Sequence, residues 1–148
     1  MAESRAAETA FRKVGAPEEQ AQARAVLARA LLAAGEDAAA RTELRFARTL
    51  VGRVTSPDVQ FTLAIAEGRA QAAAGDAKGA IEGLQATAAR ARDAGLKAYE
   101  LEARLALGVA EMRLGRRESG RARLQAVERE ARANGLGLLA RQATMPAH

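Results

Sequence analysis

The chain has 148 residues, with 23 basic against 18 acidic side chains (net charge +5), 49% hydrophobic residues and only 3% aromatics. It has no cysteine, which excludes disulfides, thiolate catalysis and the common structural zinc sites, and its alanine-rich, aromatic-poor composition argues for helices over a sandwich or barrel. Charges interrupt every apolar run and Met1–Arg5 carries no apolar signal core, so no transmembrane helix or secretory signal is expected and the cytoplasm is the default expectation.

In chain order, the first predicted helix spans residues 2–14 and is closed by Gly15. The second, 17–34, begins on Pro17, whose missing N–H costs nothing in a first turn, with Glu18 and Glu19 placed favourably for the helix dipole. Gly35 suits the left-handed residue that closes it, and a helix over 37–53 follows. Ser56 is a candidate N-cap before Pro57, which opens a helix over 57–74 ending at Gly75. Asp76 then caps 77–94, Gly95 ends it, 97–114 runs to Gly115, 117–134 runs to Gly135, and a short last helix covers 137–144. Turns this short make sequential helices antiparallel neighbours.

These elements repeat. Gly35, Gly75 and Gly115 stand 40 residues apart, as do Ala28, Gly68 and Gly108, then Ala40, Ala80 and Gly120, then Leu44, Leu84 and Leu124. Gly15, Gly95 and Gly135 share the frame, with Thr55 filling the gap, and so do Pro17 and Pro57. A glycine inside a helix costs about 1 kcal/mol relative to alanine, so Gly68 and Gly108 are best explained by close helix–helix approach. Leu27, Leu31, Leu44, Leu63, Ile81, Leu84, Leu107, Leu114 and Leu124 are expected to fill the core. The expected organisation is one all-α domain over 1–148, an α-α superhelix of antiparallel helix pairs. It comprises the second helix of a truncated unit (1–15), repeats at 16–55, 56–95 and 96–135, and a capping helix and tail (136–148). The register leads us to expect that the helix before Gly15 has lost a partner and that its edge, near Phe11, invites a weak homodimer.

The columns Ala28-Gly35-Ala40-Leu44-Ala47, Gly68-Gly75-Ala80-Leu84-Thr87 and Gly108-Gly115-Gly120-Leu124-Val127 resemble the tetratricopeptide repeat, in a longer variant than that family's usual repeat of about 34 residues. The family's aromatic columns are replaced here by Leu31, Gln71 and Glu111. The Ala/Arg-rich style is also similar to tails that follow kinase or winged-helix domains in multidomain bacterial regulators.

The resemblance implies that first helices line a concave, partner-binding face. Carried over residue by residue, that face takes Gln22, Arg29 and Leu32 from the first repeat, Thr62, Ile65 and Arg69 from the second, and Leu105, Val109, Met112 and Arg113 from the third. It reads as an apolar trough dotted with arginine, suited to a protein or peptide ligand of acidic character. The family's best-known ligand mode clamps a C-terminal carboxylate with Lys and Asn, and neither type stands at these positions.

No catalytic chemistry is expected, and no cofactor or metal. The only histidine is His148, at the end of the chain, so no nucleophile–His pair can be built. Glu67 and Glu111 fall mid-helix, where a salt bridge to a neighbouring Arg outweighs a role as catalytic acid. Arg41, Arg45 and Arg48 form one basic stripe on a second helix, and Arg116, Arg117, Arg121 and Arg123 a second basic zone. Both read first as solvated faces. The leading expectation is a protein-interaction scaffold within a larger bacterial signalling or transcription-regulatory protein. Self-association is an alternative. Nucleic-acid binding through the second helices is disfavoured by the scarcity of stacking aromatics and by interleaved Glu.

Overall fold

The computed structural model describes residues 17–50 and 56–144. They form α1 (Pro17–Ala33), α2 (Asp37–Thr49), α3 (Pro57–Ala73), α4 (Ala77–Asp93), α5 (Lys97–Arg113), α6 (Arg117–Ala133) and α7 (Gly137–Thr144). Among the described residues there is no strand. The fold is an all-α repeat array. The expected helix at 2–14 with Gly15 and Phe11, and the positions Thr55 and His148, lie outside the described residues.

The helix ends follow from local backbone chemistry. At the end of α5, Gly115 takes φ +86°, a left-handed conformation that costs an L-residue with a Cβ about 1–2 kcal/mol. This lets the Gly115 N–H donate to Met112 O (3.1 Å) and the Arg116 N–H donate to Glu111 O (2.9 Å), pairing carbonyls that the helix leaves open. The same six-residue closure recurs where Glu36, Asp76, Leu96 and Leu136 donate to Leu31, Gln71, Ala91 and Ala131. At the start of α4, Asp76 Oδ1 accepts from the Gly79 N–H (3.0 Å) while Gln71 Nε2 donates to Asp76 Oδ2 (2.7 Å). These two bonds, Gln71's first, hold the Asp76 carboxyl below its usual range.

α2 is the exception, stopping at Thr49 rather than at residue 53. No glycine stands at Leu50. Instead the Thr49 hydroxyl donates to Phe46 O (2.6 Å) and the Leu50 N–H to Ala47 O (3.0 Å), closing the last turn tightly.

The chain divides into two compact units, Met1–Ala66 and Glu67–His148. In the first, α1 packs on α2. Each contributes a stripe of the same spacing: Ala21, Ala25 and Ala28 on α1, and Ala40, Leu44 and Ala47 on α2, all buried. Ala21 also meets Val59 of α3, with Leu50 packed against the pair. The Ser56 N–H donates to Glu18 Oε1 (2.9 Å), so Glu18 fastens the entry to α3 besides facing the α1 dipole.

In the second unit α4 packs on α5, α5 on α6 and α6 on α7, and α5 also touches α7. Its core joins Leu101 and Leu105 of α5, Leu124, Val127 and Ala131 of α6, and Leu139, Ala140 and Ala143 of α7. Ala28, Gly68 and Gly108 are all buried. A Cβ on Gly68 would lie 2.5 Å from Leu84 Cδ2, and one on Gly108 would lie 2.9 Å from Leu124 Cδ2. The small-residue column thus admits the leucine of the following helix, 16 residues on in both repeats.

Three expected core residues are not in it: Leu27 is 46% exposed, Leu114 is 41% exposed and Leu31 is only half-buried. Leu27 falls off the Ala21-Ala25-Ala28 stripe onto a flank of α1. Leu114 follows the last helical residue of α5 and stands at the turn before Gly115.

Candidate functional site

The residues expected to meet a partner divide by burial. In the first unit Arg29 is exposed, while Gln22, Leu32 and Thr62 are half-buried. Gln22 Oε1 is buried with no hydrogen-bond partner among the described residues. Ile65 is 4% exposed, so its side chain belongs to the core and offers no surface, contrary to expectation. In the second unit Arg113 is exposed and Arg69, Val109 and Met112 are half-buried, but Leu105, expected on the surface, is core at 4% exposed. The physical reason is common to both corrections: Ile65 and Leu105 share one repeat column, and a β-branched or γ-branched side chain there packs inward. Met112 is partly committed too, since its Cγ and Sδ stand 3.0 Å from where a Cβ on Gly120 would be. Arg29 and Arg69 each engage another group of the chain.

A different surface of the second unit is concave. An open groove of about 330 Å³ has Gln85, Ala88, Ala89 and Arg92 of α4 on one side and Arg123 of α6 on the other. Glu100, Arg104 and Leu107 of α5 complete it. Two second helices thus flank one first helix. The α4 residues lie on one helical flank, as do those of α5, by their spacing of three, four and seven. None of the expected partner-binding residues lines this groove.

The arginines are held from behind. Arg104, with 18% of its side chain exposed, forks onto Glu130: Nη1 donates to Oε2 (2.8 Å) and Nη2 to Oε1 (3.0 Å). Lys97 Nζ joins them, 2.9 Å from Glu130 Oε2 and 3.3 Å from Glu100 Oε2. The Arg104 guanidinium, and then Lys97, pull the Glu130 carboxyl down to about 2 against partial burial, and Glu130 first, then Glu100, raises the Lys97 ammonium. Deeper in the unit, Arg123 Nε donates to Oε1 of Glu111, whose side chain is only 5% exposed. The expected pairing of Glu111 with a neighbouring Arg is therefore present. Arg123 departs from the solvated basic zone expected of it and turns inward, whereas Arg116, Arg117 and Arg121 are exposed.

In the first unit the pairing is different. Arg24 Nη1 donates to Glu43 Oε2 (2.8 Å) while its Cζ lies 4.7 Å over the Phe46 ring. Arg24 and Glu43 occupy the repeat positions of Arg104 and Arg123. Val26, Leu27 and Phe46 are exposed on this unit, and Arg41, Arg45 and Arg48 form the exposed stripe expected on α2.

Sequence reasoning missed the groove because it looked for a partner surface on first helices alone. The signal available in the sequence is the 3-4 spacing of Gln85, Ala88, Ala89 and Arg92 on one flank of a second helix, facing Arg104 across the turn at Gly95. Among the described residues no group of three or more His, Asp or Glu is placed to hold a metal ion, and no helix is long and apolar enough to cross a membrane. No protein-family model, curated protein or solved structure matches the chain.

Proposed function

We propose that this chain is a non-catalytic protein-interaction scaffold of the tetratricopeptide type, holding a peptide or helix against a first helix as a module of a larger bacterial regulatory protein. The observation that carries this reading is a recurring juxtaposition of half-open apolar and basic side chains. Leu32 stands beside exposed Arg29 on α1, and Val109 and Met112 beside exposed Arg113 on α5. Leu32 and Met112 occupy the same repeat column, 80 residues apart. Apolar area supplies affinity and arginine selects carboxylates, the combination expected of a surface for an amphipathic acidic segment.

The test is partner recovery by the full chain compared with Arg29→Glu and Arg113→Glu. Both positions are exposed, so the folds should survive. Each variant should lose at least one partner while remaining folded. Recovery that ignores both substitutions would refute the assignment. A second reading, self-association, draws on the exposed Val26, Leu27 and Phe46. Sedimentation at rising concentration tests it, and a strict monomer would exclude it.

A further inference from the structure

The arginine-lined groove on the second unit is not part of the first-helix surface. We infer that it is a second binding site, which takes the side-chain carboxylates of an extended, acidic segment of a partner protein. This rests on the reading of the chain as an interaction scaffold, but it uses other residues.

Charge placement comes first. Three arginines line the groove against one carboxylate, Glu100, and the acids that hold Arg104 and Arg123, namely Glu130 and Glu111, do not line it. The cations therefore face the groove while two of their counter-charges stand behind them. Donor capacity comes next. Arg123 bonds Glu111 through Nε, which leaves the Nη edge of its guanidinium for a second acceptor. Arg92, with 67% of its side chain exposed, makes among the described residues a single ionic contact, 3.5 Å from Asp93. Arg104 is fixed by its fork with Glu130, so little rotamer freedom is lost when a ligand approaches.

Size and polarity narrow the occupant. A groove of about 330 Å³ is at the small end of ligand sites and admits side chains rather than a whole helix. Its apolar surface, chiefly the half-buried Ala89, favours the methylenes of Glu. Glu100 and the near-absence of aromatics disfavour a phosphate backbone, which gains from uninterrupted positive charge and stacking.

The experiment is a titration of the full, 15N-labelled chain with an acetylated, amidated peptide of alternating Ser and Glu, followed by amide chemical shifts. Shifts should concentrate at Gln85, Arg92, Leu107 and Arg123, and the same peptide with Gln for Glu should produce none. Arg92→Glu should weaken binding by about tenfold or more, the scale of a lost charge-assisted contact. Arg141→Glu, an equal charge change on α7 outside the groove, should alter it less than about twofold, as expected of a screened distant charge. Arg113→Glu should leave this binding intact, so failure here and failure of the first-helix assignment are separately visible. The proposal is overturned by absence of shifts at millimolar peptide, by equal losses in the Arg92 and Arg141 variants, or by a single-stranded oligonucleotide displacing the peptide from these amides.

Discussion

Leu124 lies over Gly108, so close that a Cβ on the glycine would stand 2.9 Å from Leu124 Cδ2 and 3.4 Å from the carbonyl oxygen of Gly120. Leu84 holds the same place over Gly68, where a Cβ would stand 2.5 Å away. The leucine fills the volume that the glycine leaves. Leu84 is fully buried as a result, a burial worth about 1.5–3 kcal/mol. Gly68→Leu should therefore destabilise by about 1–3 kcal/mol through overpacking. Urea denaturation measures it, and an unchanged midpoint would show that the helices can part without cost.

Gly83 gives the opposite sign. It sits inside α4, is exposed, and a Cβ built on it meets nothing within 4 Å. Gly83→Ala should stabilise by about 0.5–1 kcal/mol, because alanine loses less backbone entropy in a helix and no neighbour has to move. A rise in thermal midpoint is the expected readout. A fall would mean that α4 needs the glycine for a reason absent from its packing.

Arg123 and Glu111 form a pair whose acidic member is buried. Removing only the cation leaves a carboxylate without compensation. Arg123→Ala should accordingly cost about 3 kcal/mol, while Glu111→Leu with Arg123→Ala should cost distinctly less. A double-mutant cycle by chemical denaturation gives the coupling. Additive effects would deny the pair its structural role.

Glu130 makes stability depend on acid. Its folded carboxyl sits at about 2 against an ordinary 4.5, first because Arg104 donates to the charged form and then because Lys97 does. Between those values the unfolded chain binds the proton and the folded one does not, so unfolding takes up a proton and stability rises with pH. The contribution is present above about 4.5 and disappears as pH falls towards about 2. The stability gap between wild type and Glu130→Gln should thus close on acidification through that window. Because the pair is partly exposed, added salt should narrow the gap at neutral pH as well. Denaturation curves across pH test both effects, and a gap independent of pH would contradict them.

What the sequence determined by itself is the run of helices and their closures. A left-handed glycine, a proline in a first turn and an aspartate cap act within a few residues of themselves. The boundaries at Pro17, Gly35, Pro57, Gly75, Gly95, Gly115 and Gly135 were therefore legible without a fold. The small column of Ala28, Gly68 and Gly108 was legible for a related reason, since a repeated glycine inside a helix needs a neighbour that profits from it.

Tertiary structure alone decided which flank of each helix is covered. Leu27 and Leu107 share one repeat column, yet Leu27 is 46% exposed and Leu107 is 2% exposed. Leu107 lies in the floor of a groove with α4 on one side and α6 on the other; the burial of a side chain depends on what its neighbours place against it, which no local pattern records. The same holds for Arg123. Its spacing is that of a solvated basic stripe, but the buried carboxylate of Glu111 is within reach across the hairpin and holds the guanidinium half-covered at the groove edge instead of in open solvent.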